Sequence, residues 1–385
     1  MLKKFTPLVF LASLGAGGIS VIPFALLQYS MPDLEGLVKI ADLNHGSNPF
    51  TLELYYYSLE AIMIVFSLLH IAMSIRITKS FLKWIKTPAF KETINNPLAN
   101  AGLMAPFISL TMLMNVFIGP IRFFIPSFAA NLQNLMLPAL IFWIALWIAI
   151  MATSLKLLRI SFSKGFDVSK ISFGWLLHPF ALGMLTVVGT GIAAMAQNRG
   201  ISDTAIFLAM ISGSMGMFLL LVKLVVIFKS HFAAEGLPGK QFLPSFLIVV
   251  PNITLYALSF FRLSHYMHKY YGFHMESSMF LTVMLPFAFE IWYLVFGIGL
   301  LRDYFKKDFF SKDFHITQWG FVCPVVAFSV LGTFAYQQFS NNTIIYVLNV
   351  ASMWVSVILF FHLLRKHKQY LCVKPGDNQE ASTNN

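Results

Sequence analysis

The stretch FGWLLHPFALGMLTVVGTGIAAM, residues 173–195, contains no Asp, Glu, Lys or Arg in 23 residues. A membrane-spanning helix needs about 20 largely apolar residues, and this stretch satisfies that requirement. Its apolar residues are continuous, whereas a strand of a membrane barrel alternates over about ten residues. The stretch therefore predicts a helix that crosses a membrane, with the triplet His178-Pro179-Phe180 near its start.

Nine further runs share this character. Apolar residues make up 57% of the 385 residues, charged residues make up 11%, and the mean hydropathy is +0.72. A soluble domain carries about 25% charged residues, so we predict an all-α integral membrane protein without a soluble domain. The ten predicted spans are 5–29, 54–75, 98–119, 134–157, 173–195, 203–228, 242–263, 279–301, 315–336 and 342–364.

The basic residues predict the orientation of the spans. The net charge of +11 does not indicate nucleic-acid binding, because these residues lie in short loops between apolar runs. The two termini and every second loop hold 21 Lys and Arg residues, whereas the opposite side holds 5. Cytoplasmic loops are the ones enriched in Lys and Arg. We therefore expect both termini in the cytoplasm and the protein in the inner (plasma) membrane.

A proline repeat predicts how the helices are arranged. Pro106, Pro179, Pro251 and Pro324 lie in the third, fifth, seventh and ninth spans, 73, 72 and 73 residues apart. A repeat of this length contains two helices, so the chain is predicted to form five parallel helical hairpins. Proline inside a helix removes a hydrogen bond and kinks it, and such helices in lipid are buried or line a cavity. We expect an inner ring of five kinked helices around a central pore.

The predicted ten-helix domain covers residues 1–370, and residues 371–385 are predicted to be a disordered cytoplasmic tail. The run that begins at Phe5 is too long for the apolar part of a signal peptide, which favours a first membrane helix. Cys323 and Cys372 lack metal-ligand spacing. No P-loop, His-Glu-x-x-His motif or carboxylate pair is present. The sequence predicts neither a cofactor nor an enzyme.

Two segments resemble the tellurite-resistance/dicarboxylate transporter family, which includes plant slow-type anion channels and fungal malate and sulfite transporters. They are Gln318-Trp319-Gly320-Phe321-Val322-Cys323-Pro324 and the glycine-rich part of residues 8–18. The resemblance implies five inner helices that form an hourglass pore within each protomer of a homotrimer. It also implies a phenylalanine on the ninth helix that closes the pore. Here Cys323 lies at or beside that position, so either Phe321 or Phe328 closes the pore, or a thiol lines a more open one.

The predicted site residues are of three kinds. Arg122 and Arg262, at the outer ends of inner-ring helices, would attract anions or extend to the interface as ordinary basic residues. Glu290, inside the eighth span, is the candidate for proton coupling, with a structural pair with Lys223 or a neutral hydrogen-bonded acid as the alternatives. The predicted pore-lining or gating residues are Gly15, Gly18, Pro106, Phe107, His178, Pro179, Pro251, Asn252, Phe321, Cys323, Pro324 and Phe328.

The odd-numbered spans contain no Asp or Glu, which disfavours cation conduction. We therefore predict a passive channel or transporter for small anions such as chloride, nitrate or sulfite, or for C4-dicarboxylates. Dicarboxylates usually require a paired arginine clamp, and none is visible within the spans. Two alternatives are a proton-coupled carrier of the same fold and a haem-bearing, quinone-linked subunit. The haem alternative would use histidine pairs among His70, His178, His315 and His362.

Overall fold

Ten helices in the computed structural model are long and apolar enough to cross a membrane, as predicted. The structure describes residues 5–31, 34, 36–234, 236–339 and 342–372, and these contain no strand. In chain order, α1 to α10 are Pro7–Ser30, Phe50–Trp84, Asn100–Phe124, Leu132–Ser163, Phe173–Met195, Arg199–Ala233, Leu243–Tyr271, Glu276–Leu300, Ile316–Gln338 and Thr343–Leu371.

The helices α2, α4 and α6 are longer than the apolar runs that predicted them. They have 35, 32 and 35 residues and continue into segments that carry basic side chains. Lysine and arginine are good helix formers, so loss of hydrophobicity does not end these helices. The helix α10 runs to Leu371, and residues 373–385 of the predicted tail lie outside the described residues.

The odd-numbered helices contact one another in a closed ring. The helix α1 packs against α3, α3 against α5, α5 against α7, α7 against α9, and α9 against α1. In their most apolar windows, 61 to 100% of residues are buried, against 22 to 39% in the even-numbered helices. The even-numbered helices lie outside the ring, where α2, α6, α8 and α10 each pack on the preceding odd helix.

Glycine lets the outer helices approach the ring closely. The Trp143 ring of α4 lies against Gly189 of α5, where a Cβ atom would overlap it. Trp143 Nε1 also donates a hydrogen bond of 2.9 Å to the Leu185 carbonyl. Within the ring, the Tyr256 hydroxyl of α7 donates to the Pro179 carbonyl of α5 at 2.8 Å. These contacts fix the distance between neighbouring helices.

The repeated prolines do not lie in the middle of α-helical segments, which corrects the prediction. Each odd-numbered helix begins with a short 3₁₀ segment, after which the α-helical part starts at residue 10, 105, 177, 249 or 322. The four repeated prolines are the second or third residues of these α-helical parts. In the first helical turn proline is tolerated, because its missing N–H has no partner there. The prolines thus mark the change from 3₁₀ to α-helix.

Candidate functional site

A cavity lies where the five odd-numbered helices meet. Within each helix the lining residues are one, three or four residues apart, which corresponds to one face of an α-helix. The lining residues are Leu14, Gly15, Gly18, Val21, Met112, Asn115, Phe180, Met184, Val187, Pro251, Thr254, Leu255, Leu258, Arg262, Cys323, Val326, Ala327 and Val330.

The α1 wall of the cavity is built on two predicted glycines. A Cβ atom on Gly15 would lie 3.1 Å from Val322 Cγ1, and one on Gly18 would lie 2.8 Å from Val326 Cγ1. Both distances are shorter than ordinary van der Waals contact. Because glycine has no side chain, α9 can pack directly against the α1 backbone. Cys323 and Val326 thereby reach the cavity beside these glycines.

Arg262 is the only charged residue among those that line the cavity. Its Nη1 atom donates a hydrogen bond of 2.6 Å to the carbonyl oxygen of Val187 on α5. No salt bridge to Arg262 occurs among the described residues. A guanidinium group has five N–H donors, so this single hydrogen bond leaves donors for a ligand. The cavity therefore contains a positive charge that no carboxylate in its lining neutralises.

Three further polar side chains line the cavity: Asn115 on α3, Thr254 on α7 and Cys323 on α9. The Thr254 Oγ1 atom lies 3.2 Å from the Val250 carbonyl oxygen and 2.5 Å from Oε1 of Glu290 on α8. Glu290 is fully buried, and its Oε2 atom has no hydrogen-bond partner. Of the two predicted structural alternatives, the pair between Glu290 and Lys223 does not form, whereas Glu290 is hydrogen-bonded to Thr254. Thr254 lines the cavity and contacts Glu290, so it lies between the buried carboxyl group and the cavity.

The predicted gating phenylalanines lie outside the cavity. Phe321 packs among Tyr304, Phe305 and Phe309, with ring centroids 5.2 to 5.9 Å apart. Phe328 stacks on Phe287 of α8 at 5.1 Å.

Phe180 is the one aromatic residue among the lining residues, and the sequence reasoning missed it. Phe180 lies directly after Pro179, but the residues at the same place in the repeat, such as Phe107 and Asn252, do not line the cavity, so this position alone does not identify it.

Arg122 is not at the cavity. It is buried at the end of α3, where Nη2 donates to the Val38 carbonyl at 2.5 Å and Nε donates to the Ile118 carbonyl at 2.9 Å. Its guanidinium also lies 5.9 Å from the centre of the Phe24 ring. These contacts place Arg122 as an anchor for the loop between α1 and α2, and Arg262 alone of the two predicted arginines lines the cavity.

His178 and Asn252 face away from the cavity. His178 Nδ1 lies 3.5 Å from Nζ of Lys223 on α6, and that lysine donates to the Trp175 carbonyl at 3.1 Å. Asn252 Nδ2 donates to the Ile248 carbonyl at 2.8 Å, so its amide serves the backbone in the first α-helical turn. The other predicted residues, Pro106, Phe107, Pro179 and Pro324, pack near the starts of their helices outside the lining.

The histidines of the haem alternative lie in separate surroundings. His70 Nδ1 is 2.7 Å from the Ser13 carbonyl oxygen, whereas His178 contacts Lys223. His362 stacks on Phe309, with ring centroids 5.2 Å apart. Each of these three histidines therefore contacts a different group in the described part of the chain.

Ten helices long and apolar enough to cross a membrane, five of which line a central cavity, define a multi-pass membrane protein. The sequence profile of the voltage-dependent anion channel (SLAC1) family matches residues 4–367. The chain belongs to this family, as the resemblance in its first and ninth helices predicted. No curated protein matches the sequence significantly. The family consists of channels and transporters, and membership indicates an anion channel or transporter function.

Proposed function

We propose that the chain is a passive channel for small anions, and that the central cavity is the conduction path. Arg262 carries this proposal, because it is the only charged residue in a lining without carboxylates. A fixed positive charge in a low-dielectric cavity attracts anions and repels cations. The same side chain is held in place by its hydrogen bond to Val187.

The lining favours small inorganic anions over C4-dicarboxylates. Two carboxylates are best held by two basic groups, and the lining provides one guanidinium together with Asn115 and Thr254. The remaining surface is apolar and offers few hydrogen bonds. Conduction requires binding weak enough for the ion to leave. A chloride-like or nitrate-like ion therefore fits this cavity better than a tightly held dicarboxylate.

The closing element of the proposed path is Phe180. Its ring lines the cavity opposite helices that contribute Gly15, Gly18 and Cys323. Phe180 replaces Phe321 and Phe328 in our proposal, because both of those rings are packed elsewhere. Localisation in the inner membrane, which the distribution of basic residues favours, and assembly as a homotrimer, which the family resemblance implies, also belong to this proposal.

The proposal is tested with purified protein in liposomes, by measuring current under an anion gradient and then under a cation gradient. The reversal potential is expected to follow the anion. Arg262→Gln should lower the anion current by at least about tenfold, since it removes the charge from the cavity. Arg262→Lys should retain most of the current. Arg199→Gln is the matched control, because Arg199 is exposed at the start of α6 and contacts Asp203.

A second measurement does not depend on conduction. In a Cys372→Ser background, Cys323 reports access to the cavity through its rate of modification by thiol reagents of opposite charge. We expect the anionic reagent to react faster, and Arg262→Gln to remove this preference. A reversal potential that follows the cation, or equal currents with and without Arg262, would overturn the proposal.

A further inference from the structure

We propose that Glu290 is a proton-binding site in the wall of the cavity, and that anion passage requires this proton. The inference rests on the proposed function, since it concerns the same cavity. In this proposal Thr254 connects the Glu290 carboxyl group to the interior of the cavity. The conduction path would then open in acid and close as the proton is lost.

The Thr254 hydroxyl group and the Glu290 carboxyl group lie within hydrogen-bonding distance of each other. Thr254 Oγ1 is 2.5 Å from Glu290 Oε1 and 3.2 Å from the Val250 carbonyl oxygen. A hydroxyl group has one hydrogen, and a backbone carbonyl and an ionised carboxylate only accept hydrogen bonds. With Glu290 ionised, the threonine can satisfy one of its two neighbours. With a proton on Oε1, Glu290 donates to Thr254, Thr254 donates to Val250, and both contacts are hydrogen bonds.

The helices packed around Glu290 place no cation against its carboxyl group in the part of the chain that the structure describes. The helix α8 packs against α7 and α9. The titratable residues of α9 are Cys323 and Tyr336. Those of α7 are Tyr256, Arg262, His265, Tyr266, His268, Lys269, Tyr270 and Tyr271. On α8 itself they are Glu276, at the helix start, and Tyr293, whose hydroxyl donates to the Phe246 carbonyl.

None of these residues forms a salt bridge with Glu290 in the described part of the chain. Arg262 is the nearest arginine or lysine in α7 to Thr254, and eight residues separate them, which is about 12 Å along a helix. An ionised carboxylate buried without a partner is strongly unfavourable. The neutral acid is therefore the form that this packing accommodates, and ionisation needs compensation from the cavity.

The electrostatic consequence follows from the two fixed groups. With Glu290 protonated, Arg262 alone sets the charge of the cavity, and an anion is attracted. When the proton passes from Glu290 by way of Thr254 to water in the cavity, a carboxylate remains behind the wall. The negative charge opposes that of Arg262 and weakens anion binding. Anion flux is thus expected to rise as pH falls.

The experiment compares anion flux in liposomes between about pH 5 and about pH 8, a range over which a buried carboxyl group can titrate. Wild-type flux should rise roughly threefold to tenfold toward acid. Glu290→Gln should give high flux without this pH dependence, because glutamine resembles the protonated acid. Thr254→Val should shift or weaken the pH response. Glu276→Gln is the matched control on the same helix and should respond as wild type does.

Infrared spectroscopy provides a readout independent of transport. The carbonyl stretch of a protonated carboxylic acid should be present in wild type at neutral pH and absent from Glu290→Gln. Retention of that band in Glu290→Gln, or unchanged pH dependence of its flux, would overturn this inference. Absence of anion flux from every variant at every pH would instead contradict the proposed function.

Discussion

Gly189 shows how a single residue sets the distance between the inner ring and an outer helix. The Trp143 side chain is fully buried against it, and its indole nitrogen donates to the Leu185 carbonyl of the same helix. Two independent contacts thus hold α4 on α5. Neither is visible as a charge or a motif in the sequence.

We predict that Gly189→Ala destabilises the protein by about 1–3 kcal/mol, because the added methyl group overlaps the Trp143 ring. Thermal unfolding in detergent measures this as a lower midpoint. Gly299→Ala is the control, since a Cβ atom at Gly299 of α8 meets no atom within 4 Å. Equal midpoints for the two variants would contradict the packing described for Trp143.

The cavity residues were only partly predictable. A sequence pattern can show which helices form the inner ring, but it does not readily show which side of each helix points toward the cavity. The proline repeat identified the ring, and of the predicted residues Gly15, Gly18, Pro251, Arg262 and Cys323 line the cavity. Phe321 precedes Cys323 by two residues, which turns a helix by about 200°. Counting in steps of three or four from Cys323 leads instead to Val326, Ala327 and Val330.

At the scale of an element, the loop between α1 and α2 is held by polar contacts in addition to its buried apolar residues Val38 and Leu43. Arg122 donates to the Val38 carbonyl, and the Val38 N–H donates to Gln28 Oε1 at 2.9 Å. Near the other end, His45 lies 2.6 Å from Glu53 and 2.7 Å from Glu60 of α2. The histidine thereby fastens the loop to the start of α2.

The contact between His45 and its carboxylates predicts a pH-dependent loop. Hydrogen bonds to Glu53 and Glu60 raise the pKa of His45 above its usual value. A raised pKa means that the contact contributes fully below the usual value and is lost as pH rises through the raised one. We expect trypsin cleavage after Lys39, relative to cleavage after Lys170, to increase with pH in that range.

His45→Gln tests this prediction, because glutamine cannot carry the positive charge. The cleavage ratio of this variant should not change with pH and should remain at the high value. A ratio that still rises with pH in His45→Gln would assign the effect to another group. The proton site proposed at Glu290 is separate, since that residue lies on α8 and contacts Thr254.

The helix starts illustrate a second limit of sequence interpretation. The proline spacing located the repeat, but the same prolines are compatible with a kink and with a first helical turn. The 3₁₀ segments before Ala105, Leu177, Val249 and Val322 decide between them. The proline spacing alone does not show where the 3₁₀ backbone ends and the α-helical part begins.

For the whole molecule, the distribution of basic residues predicts an orientation that the packing of helices does not determine. Ser47 lies in the loop between α1 and α2, and Ser169 lies between α4 and α5; both are exposed. In a variant without Cys323 and Cys372, we expect Ser47→Cys to react with a membrane-impermeant thiol reagent in intact cells. Ser169→Cys should react only after the membrane is opened.

Reaction of Ser169→Cys in intact cells, with Ser47→Cys protected, would invert the predicted orientation. The two positions form a matched pair, because both are serines in loops and differ chiefly in the predicted side of the membrane. The count of ten spans and the ring of odd-numbered helices do not depend on this outcome, since they follow from length, composition and helix contacts.

The contact between α1 and α9 has a consequence for biosynthesis. The two helices close the ring through Gly15 and Gly18 against Val322 and Val326, which are about 300 residues apart in the chain. Chains emerge from the ribosome with the N-terminus first. The helix α1 is therefore made early, whereas α9, against which it packs, is made near the end of synthesis. A nascent or truncated chain that stops before α9 has an unclosed ring. The contact between α1 and α9 therefore forms only when nearly all of the protein has been inserted. Completion of the proposed conduction path thus depends on completion of synthesis.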